Sequence, residues 1–201
     1  MIPFNVCVEG DSDVGVAGSL VAHSGGMVQR LYGRSGKAQV LKRIAGYNQA
    51  AVRSPWLVIV DLDSDFEQGV DAEVAWLPTS SPGMAFVVAV REIESWILGD
   101  AERVANFLGV SRDKIPLAPE SLQDPKEHLI NLATASRYRA IREGLVPRAG
   151  SRASVGPLYA SEIRRFGEEA WRPEVAREVC PSLDRMLNRL TLVMDTFRER
   201  S

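Results

Sequence analysis

Two nearly continuous apolar runs restrict the fold of this chain more than any other feature of the sequence. They read WLVIVDLD over 56–63 and MAFVVAV over 84–90. An unbroken apolar run of this length is typical of a strand that is buried on both faces of a parallel sheet. Segments with apolar residues at helical spacing lie between such runs, so the sequence predicts an α/β fold with a mainly parallel sheet flanked by helices.

Two shorter β-rich runs, at 4–8 and 27–33, complete the predicted sheet. A helical stripe over 36–52 carries Val40, Leu41, Ile44 and Tyr47. The second half of the chain has no strand pattern. Its short helical segments are separated by Pro116, Pro119, Pro125, Pro147, Pro157, Pro173 and Pro181. The sequence therefore predicts an α/β core over 1–110 and a helical C-terminal extension over 111–201 that packs on the core. Ser182 is the expected N-cap of the last helix.

The composition excludes several classes of protein. With 24 Lys and Arg against 26 Asp and Glu, the chain has no overall basic field, so a nucleic-acid contact would need a local patch. No apolar run approaches the length of a membrane span, and the first residues do not have the pattern of a signal peptide. Cys7 and Cys180 stand at opposite ends of the chain and form no metal motif. A cytoplasmic protein with reduced thiols is the expectation.

Acidic residues follow three of the predicted strands. They are Glu9 and Asp13 after the first strand, Asp61 and Asp63 at the end of the third, and Glu92 and Glu94 after the fourth. The carboxyl ends of parallel strands form the ligand-binding edge of such sheets. If the first and third strands are neighbours, the first four of these carboxylates share that edge. Alternation along an extended chain predicts that Asp61 and Asp63 lie on the same side.

A cluster of carboxylates in a chain with two histidines favours a hard, oxygen-loving cation, and Mg²⁺ or Mn²⁺ fits better than zinc. Each acidic motif alone is more often a solvated turn or a helix cap. Three strands that end in acids favour the metal site instead, with Glu9, Asp13, Asp61 and Asp63 as its ligands. Asp11 and Asp65 are expected in solvent or at caps. The choice between Glu92 and Glu94 stays open at this point.

The order of an "EG" after the first strand, a later acid, and a buried strand that ends in "DLD" resembles the Toprim domain of topoisomerases, primases and overcoming-lysogenization-defect (OLD) nucleases. The resemblance covers about the first half of the chain. It implies that Glu9 is a metal ligand or general acid–base and that Asp61 and Asp63 hold Mg²⁺. OLD-type nucleases also carry an acid four positions after that glutamate, here Asp13, and a further acid after a later strand, for which Glu94 is the candidate.

A narrower resemblance extends over the whole chain, through VEGDSD, GKAQVLKRI, DLDSD, REIESWILGD, DPKEHL and PSLDRMLNRL. These segments are similar to a family of small, uncharacterised bacterial Toprim-like proteins that are often encoded beside an AAA-type ATPase, in operons that look like phage defence. The resemblance implies that Glu94, Asp100, Asp124 and Lys126 lie near the site. It also implies an ATPase partner and a nucleic-acid substrate, either DNA or RNA.

Several other features have competing interpretations. GRSGKA over 33–38 lacks the spacing and the Ser or Thr of a phosphate-binding loop, so the chain is not expected to hydrolyse ATP. Lys37 is interpreted as a solvated lysine, and Lys126 either stabilises charge at a phosphodiester or forms a salt bridge. Arginines between 137 and 152 suit either a nucleic-acid backbone or a charged helix face. Two functions remain open: a Mg²⁺-dependent nuclease, and a non-catalytic Toprim-like sensor or regulatory subunit that docks on an ATPase.

Overall fold

A computed structural model describes residues 1–200 and contains one parallel sheet, as predicted. Its strands, in the spatial order β2-β1-β3-β4, are β1 (Ile2–Val8), β2 (Gly26–Gly33), β3 (Trp56–Asp61) and β4 (Met84–Ala89). All three pairings are parallel. Every residue of β3 and β4 is buried, as their unbroken apolar sequences predict. The predicted neighbourhood of the first and third strands is confirmed, since β1 lies between β2 and β3.

Helices cover both faces of the sheet. In the first half they are α1 (Asp13–His23), α2 (Lys37–Ala50), α3 (Gly69–Trp76), α4 (Ile93–Gly99) and α5 (Ala101–Leu108). In the second half they are α6 (Pro125–Thr134), α7 (Arg139–Leu145), α8 (Tyr159–Glu169), α9 (Pro173–Ala176) and α10 (Pro181–Arg198). Short 3₁₀ turns lie at Arg112–Lys114 and Pro119–Ser121. No helix within residues 1–200 is long and apolar enough to cross a membrane.

Two apolar layers divide the helices between the faces. Helices α2 and α3 cover one face, where Val40 and Ala72 pack with Val58 of β3. Helices α1, α4 and most of the second half cover the other face, in one continuous cluster that contains Leu57 of β3 and Leu187 of α10. The helical extension therefore shares the hydrophobic core of the sheet.

Two tryptophans connect the extension to the core. Trp96 of α4 is fully buried and donates a hydrogen bond from Nε1 to Ser182 Oγ at 2.7 Å. Trp171 is also buried and donates from Nε1 to the carbonyl oxygen of Trp96 at 3.0 Å. The prediction that Ser182 caps the last helix is wrong: α10 begins at Pro181 after Cys180, and the Ser182 side chain lies inside the buried first turn.

Candidate metal centre

The carboxyl edge of the sheet brings the first and third strands together through Glu9. Glu9 follows β1 directly, and its Oε1 accepts a hydrogen bond from the backbone N–H of Asp61 at 2.8 Å. Asp13, the first residue of α1, accepts a hydrogen bond at Oδ2 from the N–H of Gly10, also at 2.8 Å. The carboxylates of Glu9 and Asp13, which begin and end the turn after β1, therefore both lie at the carboxyl edge of the sheet.

Asp61 and Glu94 form the buried centre of this edge. The Oδ1 atom of Asp61 accepts a hydrogen bond from the N–H of Ile93 at 2.9 Å, which fixes the start of α4 beside the end of β3. Glu94 follows in the first turn of α4 and is fully buried. Its Oε1 accepts a hydrogen bond from the Tyr159 hydroxyl at 2.7 Å, whereas its Oε2 is buried with no hydrogen-bond partner. A buried carboxylate oxygen without a partner is costly, so this atom calls for an explanation.

The carboxylates at this edge repel one another. Burial, followed by the charges of Glu94, Asp13 and Glu9, raises the pKa of Asp61 well above its ordinary value. Burial also raises the pKa of Glu9 and of Glu94 to about 7 each, and raises the pKa of Asp13. Four acids that interact in this way gain most from a divalent cation, because it offsets both the repulsion and the loss of hydration.

Lys126 supplies the positive charge at one side of the cluster. Its Nζ lies 2.8 Å from Glu92 Oε1 and 3.6 Å from Glu94 Oε1. Burial acts to lower the pKa of Lys126, but Glu94 and Glu92 outweigh it and raise that pKa. Glu92, Lys126 and Asp124 also line an open cleft of about 580 Å³. The structure therefore distinguishes the two glutamates: Glu92 borders this cleft, and Glu94 faces the buried acids.

Asp63 departs from the predicted arrangement. Strand β3 ends at Asp61, and Asp63 has a left-handed φ of 50°, so the alternation expected along an extended chain does not reach it. Its Oδ2 lies 2.5 Å from Lys37 Nζ, which also lies 2.7 Å from Asp65 Oδ2. The Lys37 side chain is only 15% exposed, so its interpretation as a solvated lysine is wrong. Asp63 thus belongs to an outer ion-pair group that borders the buried acids.

Besides Glu94, the narrower resemblance implies two acids near the site, and their environments differ. Asp124 caps α6, where its Oδ1 accepts from the N–H of Glu127 at 2.7 Å, and it lines the cleft beside Lys126. Asp100 is fully buried, caps α5 and pairs with Arg172 at 2.7 Å. The contacts of Asp100 are therefore those of a structural residue.

The donor types fit a hard cation, but the ligand set is not closed in this conformation. Glu9, Asp13, Asp61 and Glu94 supply only oxygen atoms, and the unpartnered Oε2 of Glu94 offers a free donor. Within residues 1–200, however, no three acidic, histidine or cysteine side chains lie close enough together to hold a metal ion. Backbone N–H groups and lysines occupy several of the carboxylate oxygens instead.

Sequence reasoning missed Tyr159. This residue begins α8, is buried, and donates its hydroxyl hydrogen to Glu94 across 65 positions of the chain. No local sequence pattern identifies Tyr159, because a large aromatic residue at the start of a helix is normally a residue of the hydrophobic core. Its hydrogen bond orients the glutamate and leaves the other carboxylate oxygen without a partner.

Together, the fold and the site define an α/β protein with an acidic, lysine-flanked centre at the carboxyl edge of a parallel sheet. We found no match to this chain among known protein families, curated proteins or solved structures. The site therefore has to be interpreted from its own geometry.

Proposed function

We propose that this chain is a cytoplasmic, Toprim-type nuclease that hydrolyses DNA or RNA phosphodiesters with Mg²⁺ or Mn²⁺. The observation that carries the proposal is the convergence of Glu9, Asp13 and Glu94 on Asp61, beside Lys126 and with one buried carboxylate oxygen free. Structural acids are normally paired or solvated, whereas these four raise one another's cost of ionisation.

The residues take separate roles in this proposal. Glu9, Asp13 and Asp61 would hold the metal, with Asp63 joining them if it leaves Lys37. Glu94 would face the metal from the buried side of the site, with its unpartnered Oε2 atom. A bound divalent cation activates water and neutralises charge on the phosphate. Lys126, at the mouth of the cleft, would stabilise the negative charge that develops on the phosphate oxygens.

The metal can be tested through stability. Mg²⁺ or Mn²⁺ should raise the melting temperature, because only the folded chain gathers the acids. At a concentration about 100 times the Kd the gain is about 2.7 kcal/mol, which corresponds to a rise of roughly 5–10 °C for a chain of this size. The double variant Asp61→Asn with Asp63→Asn should lose the rise, and Asp61→Asn alone should lose most of it. Differential scanning calorimetry with and without metal measures the effect.

Asp65→Asn is the matched control for the calorimetry, because Asp65 is exposed and contacts the same lysine as Asp63. This variant should keep the full metal-induced rise. An equal rise in the wild type and in the double variant would show that the metal binds elsewhere.

The proposal includes an AAA-type ATPase as partner and a role in phage defence. Two features of the chain support a partner: it lacks a phosphate-binding loop of its own, and its formal net charge is −2. We expect weak or no cleavage of labelled DNA and RNA by the isolated chain, and metal-dependent cleavage once an AAA-type ATPase partner is added. Robust cleavage by the isolated chain at physiological salt would remove the need for a partner.

A second candidate function is a non-catalytic sensor or regulatory subunit that docks on the same kind of ATPase. The observation that favours it is the pairing of acids with lysines: Lys126 with Glu92, and Lys37 with Asp63 and Asp65. In this alternative the ion pairs are structural. Absence of cleavage in every combination of metal, nucleic acid and ATPase would favour it.

A further inference from the structure

The charges of the chain are distributed unevenly along the sequence. Residues 14–60 contain no aspartate and no glutamate, although the whole chain carries a formal net charge of −2. The same segment contains six cations: Arg30, Arg34, Lys37, Lys42, Arg43 and Arg53. All six cations lie between β2 and the turn after α2, so this part of the surface is locally basic.

Four of these cations, three arginines and Lys42, are exposed and have no acidic partner. Arg34 pairs with Asp11, and Lys37 pairs with Asp63 and Asp65. By contrast, Arg30, Arg43 and Arg53 make no ion pair within residues 1–200. An exposed arginine that forms no ion pair is available to bind an anion.

Two of the arginines, Arg43 and Arg53, line a groove along α2, and Arg30 lies on β2. Arg30 is paired with Asn5 in the sheet, and Asn5 Nδ2 donates to Ser54 Oγ, next to Arg53. Arg43 stands one turn before Tyr47 on α2. This groove consists of two cavities that both border α2, with volumes of about 360 and 690 Å³. Their walls contain Arg43 and Arg53 but no acid. We call this feature the β2–α2 groove.

A stack of aromatic rings lies beside the β2–α2 groove, and its member Tyr47 lines the smaller cavity. Tyr32 is paired with Cys7 in the sheet, so it lies on the same face as Arg30, two residues earlier. Its ring stacks on that of Trp56 with centroids 4.9 Å apart, and Trp56 stacks on Tyr47 at 4.7 Å. Tyr32 is half-buried, so part of this residue remains exposed to solvent. Arginines beside accessible aromatic rings are the usual means of binding a nucleic-acid strand without sequence preference.

One end of the β2–α2 groove reaches the candidate metal centre. The smaller cavity is lined by Gly33 and Ser35, at the carboxyl end of β2. The next glycine, Gly36, donates its backbone N–H to the carbonyl oxygen of Glu9 at 3.0 Å. From that point α2 extends for 14 residues, or about 21 Å, toward Arg53. A strand held along α2 would therefore arrive at the acidic edge.

We infer that the β2–α2 groove binds the sugar–phosphate backbone of a nucleic acid and leads one strand to the acidic edge. The arginines contact phosphates, and Tyr32 stacks on a base. The choice of a nucleic acid as ligand rests on the proposed function. An acidic protein surface would satisfy the arginines, but it would have no use for the half-exposed Tyr32 or for the approach of the groove to the metal centre.

The test measures binding of a labelled single-stranded oligonucleotide in EDTA, so that cleavage plays no part. Changing Arg30, Arg43 and Arg53 together to glutamine should weaken binding on the order of 10²-fold at about 0.1 M salt, and should reduce the salt slope by about 2–3. The matched control changes Arg103, Arg112 and Arg189 to glutamine. These arginines are equally exposed, also make no ion pair within residues 1–200, and lie on α5, in the following turn and on α10. The control should bind within about twofold of the wild type.

Three outcomes would overturn the inference: equal weakening in both variants, no binding by the wild-type chain, or displacement of the oligonucleotide by polyglutamate as readily as by unlabelled DNA. The last outcome would assign the groove to an acidic protein. Binding in EDTA that depends on these arginines, without cleavage in metal, would support the groove and count against the hydrolase. Metal-dependent cleavage by the wild type, with oligonucleotide binding unchanged in the triple arginine variant, would support the hydrolase and count against the groove.

Discussion

Replacing Glu9 by glutamine should reduce metal-dependent cleavage on the order of 10²–10⁴-fold while leaving the fold intact. Glu9 stands at the junction of β1 and β3, where its Oε1 accepts the N–H of Asp61. Glutamine keeps the volume and can accept the same hydrogen bond through its amide oxygen. It removes the negative charge, which is what a metal ligand or proton acceptor needs. Cleavage of labelled DNA and RNA, with the ATPase present and in Mg²⁺ or Mn²⁺, measures the loss.

Glu178→Gln is the control for this experiment, because Glu178 is exposed and forms no ion pair within the described part of the chain. Its rate should match that of the wild type. Circular dichroism should show that both variants are folded. Full activity in the Glu9→Gln protein would remove Glu9 from the mechanism and leave its hydrogen bond with Asp61 as a structural contact.

Replacing Gly15 by alanine should destabilise the whole protein by about 3 kcal/mol. Gly15 lies on α1 where α8 of the extension crosses it, and a Cβ there would come 2.0 Å from the carbonyl oxygen of Arg164. The clash is with backbone, so a side-chain rotation cannot relieve it and α8 must shift. Because the extension shares the core of the sheet, we expect one cooperative transition with a melting temperature lowered by about 6–12 °C.

Gly18→Ala tests whether the effect of Gly15→Ala comes from the helix crossing. Gly18 lies on the same helix with nothing within 4 Å of the added carbon, so alanine should stabilise α1 by about 0.5–1 kcal/mol. Thermal unfolding followed by circular dichroism compares the two variants. Equal melting temperatures for Gly15→Ala and the wild type would show that α8 does not pack against α1 as described.

The parallel sheet could be predicted because burial on both faces leaves a mark in local sequence. The runs 56–63 and 84–90 have no polar interruption before their ends, and the acids that follow them lie at the carboxyl edge because parallel strands place their ends together. The same argument predicted that Glu9 and Asp61 lie at the same edge of the sheet. These predictions depend only on the hydrophobic pattern of the sequence and on the parallel direction of the strands.

The remaining features of the site depend on contacts between distant residues. Asp63 leaves the predicted side because β3 ends two residues earlier and Lys37, 26 positions away, attracts its carboxylate. Glu94 is distinguished from Glu92 by Tyr159 and Lys126, both in the helical extension. The hydrophobic pattern of a sequence does not predict which helix of the extension packs against the end of a given strand.

Crystals soaked in Mn²⁺ and measured at a wavelength with strong manganese anomalous scattering would test the metal centre most directly. We predict an anomalous peak at the carboxyl edge, in contact with carboxylate oxygens of Asp61 and Glu9 at about 2.2 Å, with Lys37 or Lys126 displaced from its acidic partner. Continuous density for the ion pairs Lys37–Asp63 and Lys126–Glu92, with no anomalous peak among the acids, would contradict the proposal that this edge is a metal centre.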